Sequence, residues 1–114
     1  MKAYLSLPIT GHDLQERQNL AARICALLHI QHPDWHIVNP FDIASRLHKE
    51  KMLRTHTLDL PTYEEYIEAD LAELSTCNRA LFAQGWESSE GCKREMAHCK
   101  DHHIEVEFLK PTIQ

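Results

Sequence analysis

Short apolar runs alternate along the chain with longer segments in which apolar residues recur at helical spacing. The run KAYLSL, which ends before Pro8, is typical of a buried first strand. The runs HIVNP, RALFAQ and IEVEFL have the same character and predict three further strands. Leucines and isoleucines from Leu14 to near Ile30 recur every three or four residues and predict a helix, with Asp13 as its cap and Glu16 completing a capping box.

Two later segments also predict helices. TYEEYIEADLAELSTC carries Thr62 as a cap with Glu65 three residues on, and EGCKREMAHCKD follows the third strand. The segment 41–61 is polar, histidine-rich and weakly periodic, so it predicts only a short helix plus an excursion. Strands that alternate with helices indicate an α/β fold, a parallel sheet sandwiched by helices, in a single domain spanning residues 1–114. Ligands of such sheets bind at the carboxyl ends of the strands, which draws attention to the loops PITGHD and QGWESSEG.

Composition narrows the classes of partner. Lys and Arg total 12 against 17 Asp and Glu, a formal charge of −5, so we expect no nucleic-acid partner. No apolar run is long enough for a signal segment or a membrane span, so we expect a cytoplasmic protein with no membrane partner. The four cysteines form no CxxC pair and predict buried, reduced thiols.

Glu95 is the first candidate for chemistry. SSEG, residues 88–91, predicts a loop that opens onto a helix N-terminus, where free N–H groups and the helix dipole attract anions. Glu95 falls about one turn into that helix, beside an apolar stripe of Cys92, Met96 and Cys99. A solvated surface glutamate is the commoner outcome, and a partly desolvated, reactive carboxylate is the alternative.

Asp70 and Tyr4 are further candidates. Asp70 lies among glutamates that favour a solvated acidic face, but it falls on the apolar side of its helix with Tyr66 and Ile67. Two carboxylates from different helices would suit acid/base and nucleophilic work on a glycosidic bond. Tyr4 in the first strand is either a core aromatic or a group that orients a carboxylate.

Two other clusters are candidates for binding phosphate or a metal ion. Thr10 and Gly11 form a tight turn before the first helix, and its N–H groups could cradle phosphate. His98, His102, His103 and Cys99 lie near one helix end and could include metal ligands, but helix C-terminal capping explains the histidines better. We therefore expect no metal and no organic cofactor.

Three ordered motifs carry a family resemblance: YLSLPITG, the aspartate of EADLAELSTCNRALF, and GWESSEGCKREMAHC. With them the chain resembles the nucleoside 2-deoxyribosyltransferase superfamily, nearest its DUF4406 branch, and is similar to the 2′-deoxynucleoside 5′-phosphate N-hydrolases. The resemblance implies a flavodoxin-like (Rossmann-like) three-layer sandwich with a mainly parallel sheet of four to five strands. It also implies a nucleoside or nucleotide ligand and a homodimer or larger assembly.

The resemblance implies roles for individual residues. Glu95 matches the nucleophilic glutamate, Asp70 the carboxylate that handles protons, and Tyr4 the tyrosine that positions the nucleophile. The residues that match the substrate-binding loops, or lie within them, are Ile9, Thr10, Gly11, Trp86, Ser88, Ser89 and Gly91. Ser89 stands where the monophosphate hydrolases place a phosphate-binding serine, whereas Leu7 stands where relatives have a glycine and narrows the pocket floor.

The resulting expectation is an enzyme that cleaves or transfers the N-glycosidic bond of a (deoxy)nucleoside 5′-monophosphate, with hydrolysis favoured because a small open site admits water. One alternative is a nucleotide-binding or sensing module of the same fold without turnover. A third, weaker alternative is a metal-binding protein that uses its histidines and cysteines.

Overall fold

A four-stranded sheet organises the molecule. The computed structural model describes residues 1–111. The strands are β1 (Lys2–Ser6), β2 (His36–Val38), β3 (Arg79–Phe82) and β4 (Glu105–Phe108), paired in parallel in the order β2-β1-β3-β4. This order follows the doubly wound arrangement of flavodoxin-like sheets. The predicted three-layer α/β fold with a parallel sheet is confirmed.

Helices connect the strands. They are α1 (Leu14–Gln31), α2 (Pro40–Thr55), α3 (Tyr63–Leu74) and α4 (Glu90–Asp101), and a short 3₁₀ turn spans Trp86–Ser88. The predicted caps of α1 and α3 are confirmed: Asp13 accepts from the Glu16 backbone N–H at 2.8 Å, and Thr62 and Glu65 form a reciprocal capping box. These bonds satisfy N–H groups that a helix start leaves without partners. At α1 the structure shows only the Asp13 half of the predicted box, and the Glu16 side chain accepts from Arg17 instead.

Helix α2 is longer than the sequence predicts. The expected short helix with an excursion is wrong, because the helix continues for 16 residues to Thr55 and ends at His56 in the left-handed region, φ 58°. Asn39 caps it and Pro40 occupies its first turn, as favours a helix start. The periodicity is weak because one stripe of α2 faces a cavity instead of a purely apolar core.

The side chains of β1 alternate between two different environments. Ala3 and Leu5 pack with α1 in one apolar cluster that also includes Ile24 and Leu28. Tyr4 belongs to a second cluster, formed with α3 and α4, on the opposite face. Because successive residues of a strand point to opposite faces, the neighbouring Ser6 shares the second face with Tyr4. The sheet therefore separates an apolar layer from a layer that contains polar groups.

All four cysteines are free thiols; Cys77, Cys92 and Cys99 are buried and Cys25 is half-buried. Within residues 1–111, no helix is both long enough and apolar enough to cross a membrane.

Candidate functional site

A cavity of about 520 Å³ opens beside the carboxyl end of β1. This volume lies within the range of small-molecule sites, and the position is where doubly wound sheets bind ligands. Its walls come from the segment after β1, the start of α1, and from α2, α3 and α4. The lining residues are Leu7, Ile9, Thr10, Leu14, Gln18, Pro40, Phe41, Ala44, Ser45, His48, Tyr63, Tyr66, Ile67, Asp70, Ser89, Gly91, Cys92 and Glu95.

Glu95 lines the cavity and is almost fully buried. Its side chain is 5% exposed, and its Oε1 accepts a long hydrogen bond from Ser6 Oγ at 3.4 Å. Its Oε2 is buried without a hydrogen-bond partner in the described part of the chain. Burial raises the pKa of this carboxyl to about 8; the Tyr4 hydroxyl opposes the rise, the Asp70 charge adds to it, and the Ser6 hydroxyl opposes it. A buried carboxyl with a free oxygen is unusual in a purely structural role.

Tyr4 lies next to Glu95 and is fully buried. Its hydroxyl is another buried oxygen that has no hydrogen bond of standard geometry to any of residues 1–111. Burial raises the pKa of this phenol well above its usual value, and the charges of Glu95 and Asp70 raise it further. The phenol therefore stays protonated and can donate a hydrogen bond to an oxygen within the site.

Asp70 lies on the cavity wall formed by α3. Burial raises the pKa of its carboxyl to about 7. Its charge acts on both Glu95 and Tyr4, so the structure brings together the three residues that the sequence predicts as catalytic. Two interacting carboxyls with raised pKa values titrate as a pair, and near neutral pH such a pair retains a proton.

The N-terminus of α4 forms another part of the wall. Ser89 caps this helix by accepting from the Cys92 backbone N–H at 3.3 Å, and both Ser89 and Gly91 line the cavity. Ile9 and Thr10 line it as well. Among the lining residues there is no Lys or Arg. Attraction for an anion at this end therefore comes from the helix dipole, backbone N–H groups and hydroxyls.

Three predicted binding residues lie outside the lining. Gly11 forms the loop before α1 with a left-handed φ of 86°, and Ser88 is exposed at the end of the 3₁₀ turn. Trp86 packs against Phe82 and Phe108, with ring centroids 5.5 and 5.7 Å away. The substrate-binding roles of Gly11, Ser88 and Trp86 stay predictions from the resemblance.

The structure also reveals wall residues that sequence reasoning missed. Helix α2 presents Phe41, Ala44, Ser45 and His48 to the cavity, and on α3 Tyr63 extends the predicted face of Tyr66, Ile67 and Asp70. Each set follows the spacing i, i+3, i+4, i+7 of one helical face. On α2 this spacing was the available signal, although its mixture of aromatic and polar residues hides it from a search for apolar periodicity.

The C-terminal histidines form a separate surface cluster. His98 Nε2 lies 2.7 Å from Ser75 Oγ, and the His98 ring contacts that of His102 at a centroid distance of 4.1 Å. Over residues 1–111, no group of three or more His, Cys, Asp and Glu side chains is placed to hold a metal ion.

Comparison with known proteins identifies the family. Residues 1–108 match the family described as Domain of unknown function (DUF4406), and the chain belongs to it. Neither the curated proteins nor the solved structures contain a match. The description of the family states no activity, so function has to be argued from the site.

Proposed function

We propose that the protein is an enzyme that cleaves or transfers the N-glycosidic bond of a (deoxy)nucleoside 5′-monophosphate. The observation that carries the proposal is the Glu95 carboxyl, which is almost fully buried, lines a ligand-sized cavity and keeps one oxygen without a hydrogen bond of standard geometry in the described chain. Tyr4 and Asp70 stand beside it. The resemblance of three ordered motifs to the nucleoside 2-deoxyribosyltransferase superfamily supports the same assignment.

The two carboxyls divide the chemistry between them. The ionised Glu95 carboxylate attacks C1′ of the sugar as the bond from C1′ to the base nitrogen breaks, and the base takes the bonding electrons and a proton from Asp70. A glycosyl ester on Glu95 results. Water, deprotonated by Asp70, then attacks C1′ and releases the sugar phosphate and the Glu95 carboxylate; a second base in place of water gives transfer.

The raised pKa values are compatible with these roles. With pKa values of about 8 for Glu95 and about 7 for Asp70, the pair retains a proton near neutral pH. Positive charge that develops at C1′ stabilises an ionised Glu95, which moves the proton of the pair toward Asp70. Tyr4, held protonated by burial, is placed to orient the carboxylate.

Ser89, Thr10 and the start of α4 support the choice of a monophosphate. Ser89 and Thr10 line the cavity with hydroxyls, and the first N–H groups of α4 have no partners within the helix. On the resemblance alone, we extend the proposal to a homodimer or larger assembly. The proposed chemistry needs no cofactor, because two carboxylates suffice for it, and a cytoplasmic location stays part of the proposal.

A second candidate is a nucleotide-binding or sensing module without turnover. The raised pKa of Glu95 favours it, because a protonated carboxyl is a poor nucleophile. Under this alternative the same cavity binds the nucleotide, and Glu95 donates a hydrogen bond to it.

Release of free base separates the two candidates. Purified protein is incubated with a panel of ribo- and deoxyribonucleoside 5′-monophosphates and the matching free nucleosides, and chromatography measures the base. We expect release from monophosphates, and a loss of at least about 10³-fold in Glu95→Gln, because a nucleophile is removed while the shape is kept. The control is Glu68→Gln, which changes an exposed glutamate outside the cavity lining.

Each other outcome has a distinct meaning. Full release by Glu95→Gln would remove Glu95 from the mechanism. Nucleotide binding without release by the wild-type protein would replace the enzyme with the sensing module.

A further inference from the structure

His48 of α2 and Tyr66 of α3 meet at the outer wall of the cavity. His48 Nε2 lies 2.6 Å from the Tyr66 hydroxyl oxygen, and their rings are arranged edge to face with centroids 5.6 Å apart. His48 is exposed and Tyr66 is half-buried. The proposed chemistry at Glu95, Asp70 and Tyr4 uses neither residue.

Ion pairs fix the two helices on either side of this contact. Lys51 Nζ lies 2.9 Å from Glu65 Oε1, which also accepts from the Thr62 backbone N–H in the capping box. Arg46 contacts Glu73 at 3.4 Å, in the direction of the C-terminus of α3. Lys51 is largely buried, so its pair is less screened than an exposed one. The His48 and Tyr66 rings therefore meet on a braced pair of helices.

The position of the pair suits the base of a bound nucleotide. Tyr66 precedes Asp70 by one turn on the cavity-facing stripe of α3, about 6 Å along the axis at about 1.5 Å per residue. Phe41 and Tyr63 add aromatic surface to the same walls. A nucleotide whose sugar lies at Glu95 would have these aromatic walls available for its base, and Tyr66 and His48 are the hydrogen-bonding pair that α2 and α3 add to them.

The phenol of Tyr66, paired with the imidazole of His48, can either donate a hydrogen bond to the edge of the base or accept one from it. When His48 Nε2 carries no proton, the Tyr66 O–H donates to it, and the Tyr66 oxygen accepts from the ligand. When Nε2 carries the proton, it donates to the Tyr66 oxygen, and the Tyr66 O–H donates to the ligand. The position of the proton on the His48 imidazole therefore decides whether the Tyr66 hydroxyl accepts a hydrogen bond from the ligand or donates one to it.

We propose that His48 and Tyr66 form a hydrogen-bond relay that reads the edge of the base and accommodates both an amino group and an oxo group at that edge. The inference rests on the proposed function only for the class of ligand, a nucleotide bound with its sugar at Glu95. Tyr66 touches the base, and His48 sets the direction of its hydrogen bond.

Locking the relay in each direction tests it. Adenosine 5′-monophosphate presents an amino group, and inosine 5′-monophosphate an oxo group, at the same position of the purine. Binding of both is measured by calorimetry in a Glu95→Gln background, so that turnover does not interfere. His48→Glu offers only an acceptor to Tyr66, and His48→Lys offers only donors.

With His48 unchanged, we expect the protein to bind adenosine 5′-monophosphate and inosine 5′-monophosphate with similar affinity. His48→Glu should favour the amino nucleotide and His48→Lys the oxo nucleotide, each by about fivefold, which is typical of one hydrogen bond. The ratio of the two affinities cancels the effect of the added charge, since both nucleotides carry the same phosphate. If His48 had only a structural role, the two His48 variants would not shift this affinity ratio in opposite directions.

Two tyrosine variants complete the design. In Tyr66→Phe the His48 substitutions should no longer change the ratio, whereas in Tyr63→Phe, whose hydroxyl also borders the cavity, they should still invert it. Binding with an unchanged ratio in both His48 variants would overturn the relay and leave the proposed function intact. No binding of either purine nucleotide would also overturn the relay, whereas the proposed function is decided separately by base release from the full panel of nucleotides.

Discussion

The two faces of the sheet differ in what they bury, although the same strand supplies both. Against α1, β1 contributes Ala3 and Leu5 to a cluster of apolar side chains. On the other face, it contributes Tyr4 and Ser6, which meet the Glu95 carboxyl of α4. Every side chain named on both faces is buried, so the difference lies in polarity and not in exposure.

This difference separates stability from function. Apolar burial stabilises the fold in proportion to the area removed from water, whereas a buried polar atom without a partner costs free energy. The face of the sheet that packs against α1 buries apolar side chains and therefore stabilises the fold. The α4 face leaves Tyr4 Oη and Glu95 Oε2 without a hydrogen bond of standard geometry among residues 1–111, a cost that a role in stability does not explain.

The largest expected effect lies on the apolar face. Ile24→Ala removes a fully buried side chain and should lower the free energy of unfolding by about 2 to 5 kcal/mol, because a cavity remains. Base release per folded molecule should be unchanged, since Ile24 packs on the opposite side of the sheet from Glu95. Denaturant unfolding and the release assay, run on the same samples, measure the two effects.

Ile30→Ala is the matched control for this comparison. Ile30 lies on the same helix but is 73% exposed, so its truncation should change stability by no more than about 0.5 kcal/mol. An Ile24→Ala protein that stays fully folded but loses base release would contradict the separation of the faces.

On the polar face, removing the Glu95 charge should stabilise the protein at alkaline pH. The pKa of Glu95 is raised from 4.5 to about 8, so its folded form binds the proton more tightly than the unfolded chain. Stability from this group is complete below about pH 4.5 and is lost as the pH rises through about 8. Glu95→Gln resembles the protonated carboxyl and should therefore unfold at a higher temperature than wild type at pH 8.5.

The expected gain is about 1 to 3 kcal/mol at pH 8.5, with little change at pH 5. Thermal melts of both proteins across this range measure it, and Glu68→Gln, at an exposed position, serves as the control. Some pH dependence should persist in Glu95→Gln, because the pKa of Asp70 is also raised. Equal destabilisation by Glu95→Gln at both pH values would show that the carboxylate is stabilised by its surroundings.

The smallest expected effect is that of replacing Ser89, which tests whether this side chain only caps α4 or also binds the phosphate of a nucleotide. Ser89→Ala and Thr62→Ala each remove a cap and should each cost about 1 kcal/mol of stability. Only Ser89→Ala should also weaken binding of nucleoside 5′-monophosphates, by about fivefold, without weakening that of free nucleosides.

Calorimetry with matched nucleoside and nucleotide pairs provides the measurement. A Ser89→Ala protein that binds both ligands as wild type does would restrict Ser89 to capping.

The sequence predicted the parts of the fold that local chemistry determines. Apolar runs marked the strands, and the side chains of Asp13 and Thr62 marked two helix starts, because a strand in a parallel sheet and a cap each have a local signature. Helix α2 was largely missed, since its cavity-facing stripe mixes Phe41 with Ser45 and His48 and leaves little apolar periodicity.

The site was accessible to sequence reasoning only in part. Tyr4, Asp70 and Glu95 lie in three different elements, and spacing alone left a solvated surface open for the two carboxylates; the resemblance of the motifs joined them. His48 and Tyr66 were missed as a pair because they belong to separate helices, and only tertiary packing brings their polar atoms to 2.6 Å.

The cavity-facing stripe of α2 also bears on how this scaffold could change over time. A one-residue insertion in β1 would exchange Tyr4 and Ser6 with their apolar neighbours and so disrupt the core and the site together. Ala44, Ser45 and His48 instead border the cavity without belonging to the fully buried clusters. Libraries that randomise these three positions should therefore yield folded variants with new ligand preferences, and α2 is the element in which such diversification is least costly.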